Sequence, residues 1–385
     1  MCGALDGTGA KVSERRGVGV IVLVVLVAVG LVGCSVDLGD SDGGLVSGPT
    51  PPARAGAYVW VCGAPDLIVG SADGGATWRQ CSRRADGDIM AGDLWAIAFG
   101  DVDNGWAVRR GVFHEKASVL ASADAGRTWT EQSVGISNGR LLAVAATDAR
   151  HVWAVGYQYV EGPDYPPGKG LVLASADGGA TWTRQRLPAG LVPFRAAFAD
   201  ARHGWLIAGG ASHFDFDYHV LATTDGGRHW RLSYSAPNGI ALFGVAAAGP
   251  RRCWVVGYGE HPQTGFAART TDGGRHWTPQ ASVAPKGLLA VSFPDAHRGW
   301  AVGYDGTVIA TTDGGATWSA QDAGGGYQLK QVSFSDREHG WALIGHQALL
   351  TTGDGGRSWS VVRPMDTRDV LTGLATIDAP SVAGQ

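Results

Sequence analysis

One eight-residue pattern, (S/T)-x-D-(G/A)-G-x-x-W, occurs seven times in this chain: at Ser71–Trp78, Ser122–Trp129, Ser175–Trp182, Thr223–Trp230, Thr270–Trp277, Thr311–Trp318 and Thr352–Trp359. The closing tryptophans stand 51, 53, 48, 47, 41 and 41 residues apart, a period suited to four-stranded propeller blades. A second pattern, similar to G-W-A-V-G, puts a tryptophan at 60, 106, 153, 205, 254, 300 and 341. Together the two patterns account for every tryptophan but Trp95 among the 15 present. That aromatic content argues against disorder, although 60 of the 385 residues are glycine.

Within each period four short apolar runs read as strands, with Gly and Asp between them as turns. Leu141–Ala146 and Leu288–Phe293 represent the first strand, His151–Tyr157 the second, Leu171–Ser175 and Val308–Thr312 the third, and Trp182–Gln185 the fourth. First strands begin near Leu94, Leu141, Phe194, Leu242, Leu288, Leu329 and Leu371. The chain enters blade one at its second strand, Tyr58–Cys62, whereas Val370–Ile377 is a first strand without a box of its own. The last strand is therefore expected to complete blade one and remove the open edges. The expected fold is all-β: a seven-bladed β-propeller of four-stranded antiparallel blades over residues 57–385, its ring closed by the C-terminal strand in blade one.

Each box reads as structural punctuation. Asp73, Asp124, Asp177, Asp225, Asp272, Asp313 and Asp354 are expected to accept hydrogen bonds from turn N–H groups. The second glycine is present in all copies, as a positive φ requires, while Ala125 in place of the first glycine suggests a position tolerant of a Cβ. Trp78, Trp129, Trp182, Trp230, Trp277, Trp318 and Trp359 supply apolar plates for packing against neighbouring strands or blades. The acidic spacing of an EF-hand is absent.

Lys11, Arg15 and Arg16 precede an uncharged run, Gly17–Gly33, that ends Leu31-Val32-Gly33-Cys34. This reads as a lipoprotein export signal over residues 1–33, with lipidation at Cys34 and a flexible tether over residues 34–56. A retained single anchor and a plain signal with a coincidental cysteine are the alternatives. The rest of the chain is expected to be exported and anchored to the outer side of the cytoplasmic membrane. Cys62 and Cys81 fall on the second and fourth strands of one blade, a separation that would strain a disulfide, and Cys253 reads as a small buried apolar residue. A net charge of −4 gives no electrostatic footprint for nucleic acid.

Successive turns of a blade alternate between two faces. The boxes should share one face with the turns between first and second strands, leaving the loops between second and third strands opposite. From first tryptophan to box tryptophan the distances are 18, 23, 29, 25, 23, 18 and 18 residues, so the insertions fall on that second face of blades two to five. Extended loops on a rigid scaffold commonly carry binding. The candidate partner-binding residues are Arg109, Arg110, Tyr157, Tyr159, Tyr165, Phe214, Phe216, Tyr218, Tyr258 and His261, residue types suited to a protein interface. Solvated loop decoration is the plainer alternative. His213–His219 alternates His and Asp with aromatics, yet each i, i+2 step along a strand advances about 6.6–6.8 Å, too far for all four to meet one ion. No metal or cofactor is assigned.

The boxes and the G-W-A-V-G stretches, for example Gly299–Gly306 through Thr311–Trp318, resemble the BNR/Asp-box propellers, and among them the photosystem II stability and assembly factor family. The resemblance implies a non-enzymatic, extracytoplasmic, monomeric scaffold that binds a protein during complex assembly. The alternative is a secreted glycan-binding or sialidase- or glycoside-hydrolase-like propeller. Against it, the Arg-Ile-Pro signature of sialidases is absent, there are residues for one propeller only, and no G-x-S-x-G elbow or Walker loop occurs.

Overall fold

The structure, a computed structural model, describes residues 57–64, 66–82, 93–109, 117–159, 168–210, 217–259, 264–364 and 370–378. Glycine- and aspartate-rich turns break the apolar runs into short strands, and these assemble as seven four-stranded antiparallel sheets. Blade one has the order Val370–Asp378, Ala57–Ala64, Leu67–Ser71, Arg79–Ser82, so the last strand closes the ring as expected. First strands touch one another in a circle: Leu94–Phe99, Gly139–Ala146, Leu191–Phe198, Ile240–Ala247, Leu288–Ser292, Leu329–Phe334 and Val370–Asp378. Fourth strands such as Thr130–Ser133 and Ser319–Asp322 face solvent at the circumference.

Apolar burial is divided among seven clusters, each between two neighbouring blades. Every cluster joins a second-strand tryptophan of one blade to the box tryptophan of the next: Trp60 with Trp129, Trp106 with Trp182, Trp153 with Trp230, Trp205 with Trp277, Trp254 with Trp318, Trp300 with Trp359 and, across the closure, Trp341 with Trp78. Five of the seven second-strand tryptophans also carry a polar tie. Their Nε1–H donates to the carbonyl at the fourth box position of the following blade: Trp60 to Ala125 (3.2 Å), Trp106 to Gly178 (3.1 Å), Trp153 to Gly226 (3.0 Å), Trp254 to Gly314 (2.8 Å) and Trp300 to Gly355 (2.9 Å). Trp205 and Trp341 stand outside this set. Arg231 Nη2 already donates to the Gly273 carbonyl (2.6 Å), and the Trp205 indole N–H is buried without a partner.

In four blades a phenylalanine at the end of the first strand stacks on the preceding blade's tryptophan: Phe99 on Trp60, Phe198 on Trp153, Phe293 on Trp254 and Phe334 on Trp300, each with centroids 3.6 Å apart. The cross-strand neighbours are Gly105, Gly204, Gly299 and Gly340, where a Cβ would stand 2.3–2.4 Å from ring carbons. In the other three blades the pairs are Ala146 with Val152, Ala247 with Cys253, and Thr376 with Val59. A large ring opposite no side chain alternates with a small residue opposite a larger one, which conserves filled volume at each seam.

Closure has ties of its own. Gln331 of blade seven donates to the Thr372 carbonyl (2.8 Å) and accepts from the Leu374 N–H (2.8 Å), while Ser333 and Thr376 share a hydroxyl hydrogen bond (2.7 Å). Thr372 Oγ1 donates onward to the Leu94 carbonyl of blade two (2.6 Å). Cys62 and Cys253 are buried, Cys81 is partly exposed, and none of the three forms a disulfide.

Inside a box the Ser or Thr hydroxyl accepts from the second glycine's N–H and donates to Asp Oδ1, as in Thr311 with Gly315 (2.9 Å) and Asp313 (2.8 Å). The aspartate accepts from residue seven of the box; Asp313 takes both the Thr317 N–H (2.9 Å) and its hydroxyl (2.7 Å). In copies four and five His229 and His276 replace the hydroxyl, each with Nδ1 2.6 Å from the carboxylate. Both glycine positions have positive φ, 72° at Gly74 and 92° at Gly75, and Ala125 is held at 60°. This corrects the expectation of a Cβ-tolerant first position: its backbone is left-handed, which costs roughly 1–2 kcal/mol without glycine, and at Gly226 and Gly314 a Cβ would stand 2.8 Å from a backbone carbonyl oxygen.

The Thr128 hydroxyl and then its N–H hold Asp124 at about 2, the Thr181 hydroxyl does the same for Asp177, and the Thr317 N–H holds Asp313 at about 2.

Three outcomes are expected. Trp153→Phe and Trp205→Phe lose similar ring area, but only the first abandons a made hydrogen bond, so denaturant unfolding should find it less stable than the second by about 1–3 kcal/mol. Ala125→Gly should raise stability by about 1 kcal/mol in the same measurement. Because the box carboxylates are depressed in the folded state, their contribution is complete above the ordinary value of 3.8 and is lost as the pH falls towards about 2. Asp313→Asn should therefore be less stable than the parent at pH 6, with the gap narrowing in unfolding curves taken below pH 4.

Candidate interaction surface

The two faces are assigned by hydrogen bonds. Box N–H groups bind carbonyls of the turns between first and second strands, as in Gly178 to Arg150 (2.9 Å), Gly226 to Arg202 (2.8 Å) and Gly355 to Glu338 (2.8 Å). Boxes and these turns thus share one face. The loops between second and third strands stand on the other, with the points where the chain passes from blade to blade.

On that loop face every first strand contains a β-bulge at the same place. The extra residue is Trp95, Leu142, Phe194, Phe243, Leu289, Lys330 or Thr372. A bulge re-aims a side chain that strand alternation would bury. Repeated around the ring, it forms a rim at the loop-face end of the axis that is apolar on blades two to six. Trp95, the one tryptophan outside both sequence patterns, belongs to it.

Rim and loop ends join in an aromatic track over blades four to six. Phe194 meets Tyr218 edge-on at 6.0 Å, Tyr218 lies 6.1 Å from Phe243, Phe243 stacks on Tyr258 at 5.0 Å, and Tyr258 meets Tyr304 edge-on at 5.6 Å. Tyr218, Phe243, Tyr258 and Tyr304 are partly exposed. Burial raises the Tyr218 and Tyr258 hydroxyls above their ordinary range, so both are neutral donors at physiological pH. On blade three Tyr157 and Tyr159 pack edge-on at 5.3 Å with hydroxyls 3.5 Å apart, and Arg140 stands 5.8 Å over the Tyr159 ring.

Four of the sequence candidates, Tyr157, Tyr159, Tyr218 and Tyr258, therefore gather on one face. Phe194, Phe243 and Tyr304 join them, residues the loop-length argument did not name. Arg109 has a different employment: Nε and Nη2 grip Asp66 of blade one at 3.1 and 3.0 Å, and Nη1 reaches Glu131 at 2.7 Å, fastening two blades together. Arg110, Tyr165, Phe214, Phe216, His261 and Cys34 lie outside the described residues. Of the His213–His219 stretch, Asp217, Tyr218 and His219 are described, and His219 Nδ1 sits 3.0 Å from Ser235 Oγ. Among the described residues no group of three His, Cys, Asp or Glu side chains is placed to hold a metal ion.

Two cations stand near the rim. Lys330 is hydrogen-bonded to Nε2 of His346, whose Nδ1 lies 3.0 Å from the Leu371 carbonyl. That carbonyl can only accept, so the imidazole presents an unprotonated Nε2 to the ammonium. Burial lowers both groups' pKa values. The second cation, Arg195, lies one residue beyond the Phe194 bulge.

The sequence model of the photosystem II assembly factor YCF48 family matches residues 274–369, from the fifth box to the approach to the last strand. No curated protein matches the chain. Among solved structures, YCF48 from Cyanidioschyzon merolae superposes with a TM-score of 0.54 at 21% identity, covering 75% of this chain and 90% of that one. A YCF48 bound to D1 peptide gives a TM-score of 0.51 at 19% identity, covering 70% and 80%. A PL25 ulvan lyase, a polysaccharide lyase, gives 0.52 at 11% identity, covering 81% and 93%. At these identities the structural likeness concerns the fold. The chain is a seven-bladed BNR-repeat propeller that resembles photosystem II assembly factors.

Proposed function

We propose that this protein is a non-enzymatic, extracytoplasmic scaffold that binds a protein partner through the loop face of its propeller. The observation that carries the reading is the continuous Phe194–Tyr218–Phe243–Tyr258–Tyr304 track beside loops lengthened on blades two to five. Tyrosines with an apolar body and a neutral hydroxyl suit a protein interface. The solved YCF48 with a D1 peptide bound supports a polypeptide as the occupant.

Export and anchoring rest on the N-terminal sequence: a signal over residues 1–33, lipidation at Cys34 and a tether to residue 56. Ala57, the first described residue of the propeller, pairs with Asp378, and its carbonyl accepts the Gly74 N–H at the box face. The protein is proposed to act as a monomer, since the closed ring leaves only outer strands as edges.

The glycan-binding alternative draws on the same track, because stacked aromatic planes also accept sugar rings. The experiment separates the two readings. Affinity capture from native membranes with the intact protein and with a Tyr218→Ser/Tyr258→Ser double variant, matched for melting temperature, should return a protein that the variant loses. A membrane protein set identical for both, together with binding or turnover on a glycan panel, would overturn the scaffold reading.

A further inference from the structure

We propose that the box face of blades four and five docks on an anionic lipid surface through five exposed arginines. Arg202 stands in the turn between the first and second strands of blade four, and Arg228 in its box; Arg251 and Arg252 occupy the same turn of blade five, and Arg275 its box. All five are exposed, and among the described residues no group bonds to their guanidinium nitrogens. The carboxylates alongside are committed to their own turns. Asp200 accepts the Arg202 and His203 N–H groups (2.7 and 2.8 Å), Asp225 the Thr223 hydroxyl and the His229 N–H (2.9 and 3.0 Å), and Asp272 the Thr270 hydroxyl and the His276 N–H (2.9 and 3.0 Å).

The positive balance is local. On this face blades four and five set the five arginines against three aspartates, whereas the same turns and boxes of blades two and three set Arg127 and Arg150 against Asp101, Asp103, Asp124, Asp148 and Asp177. All of these turns and boxes lie within the described residues; the stretches of blades four and five outside them, 211–216 and 260–263, join second to third strands at the loop face.

The turns that carry the cations are tied to one another. Gly226 N–H donates to the Arg202 carbonyl (2.8 Å) and Gly273 N–H to the Arg251 carbonyl (2.9 Å), while Arg231 of blade four reaches the Gly273 and Gly274 carbonyls of blade five (2.6 and 3.0 Å). The five side chains therefore rise from neighbouring turns of two blades instead of from one point. That spread suits many negative charges in a plane, as phospholipid headgroups present, and the guanidinium fork suits their phosphates. The chain also arrives on this face, because the carbonyl of Ala57 accepts the Gly74 N–H of the first box. Upstream lie the tether over residues 34–56 and the apolar run Gly17–Gly33. A flexible tether of that length has a root-mean-square span on the order of 25 Å, which keeps the box face within reach of a bilayer that holds the run. The inference rests on the anchoring proposed above for the nearness of the bilayer, and it concerns the face opposite the aromatic track.

The test adds the full chain to vesicles of phosphatidylcholine alone and of equal parts phosphatidylcholine and phosphatidylglycerol, and reads phenylglyoxal modification of each arginine by peptide mass spectrometry. Arg202, Arg228, Arg251, Arg252 and Arg275 are expected to react at least fivefold more slowly on the phosphatidylglycerol vesicles and to recover in about 0.5 M sodium chloride, which screens exposed charges. Arg127, on the box face of blade two, is expected to change less than twofold. In an Arg251→Gln/Arg252→Gln/Arg275→Gln variant matched for melting temperature, the protection of Arg202 and Arg228 should fall at least threefold. Flotation on the neutral vesicles reads the N-terminal anchor separately, so a failed anchor and a failed patch give different results. Equal rates on the two kinds of vesicle, protection that survives the salt, protection as strong at Arg127, or the same protection from soluble glycerol phosphate would overturn the proposal.

Discussion

Everything in this molecule depends on one contact repeated around a ring: an indole buried at the seam between two blades, whose N–H at five of the seven seams reaches the box carbonyl of the next blade. No blade has a core of its own. The apolar clusters all lie between blades, so a single four-stranded sheet would leave its tryptophans wet, and stability accrues only once neighbours stack. The box serves this contact. Its hydroxyl–aspartate network fixes a left-handed turn, the turn presents a carbonyl at a set height, and the preceding blade's indole uses it.

Closure follows from the same requirement. An open array would end in an exposed tryptophan at one side and a bare box at the other. Placing the C-terminal strand inside blade one removes both ends, and Gln331, Ser333 and Thr372 bond laterally across the seams on either side of it. The result is a closed ring whose box face carries the repeated hydroxyl–aspartate network. Variation is left to the opposite face.

The architecture was legible because its determinants are local and periodic: fourteen tryptophans in two registers, seven boxes and a surplus first strand at the C-terminus. Tyr157, Tyr159, Tyr218 and Tyr258 were reachable from loop length alone. Arg195, Phe243 and Tyr304 were not. A bulge slips the alternation by one residue, so Phe243 and Lys330 occupy positions that simple periodicity assigns to a packed sheet face. The pairing of Arg109 was hidden for another reason: its counter-ion, Asp66, lies 43 residues earlier in a neighbouring blade, and no spacing rule connects them. The strain at Ala125 was hidden because composition shows that a methyl group is present, while only φ shows what the backbone endures.

The pairing of Phe99, Phe198, Phe293 and Phe334 with glycines has a consequence for how such a ring can change over generations. Shrinking the ring alone opens a hole at a seam, and enlarging the glycine alone drives carbon into carbon. Either single step is disfavoured, so the passage between the two arrangements requires coupled substitutions on adjacent strands. Once duplicated blades have settled into different solutions, they cease to be interchangeable copies, and the order of the seven becomes a heritable property of the disc.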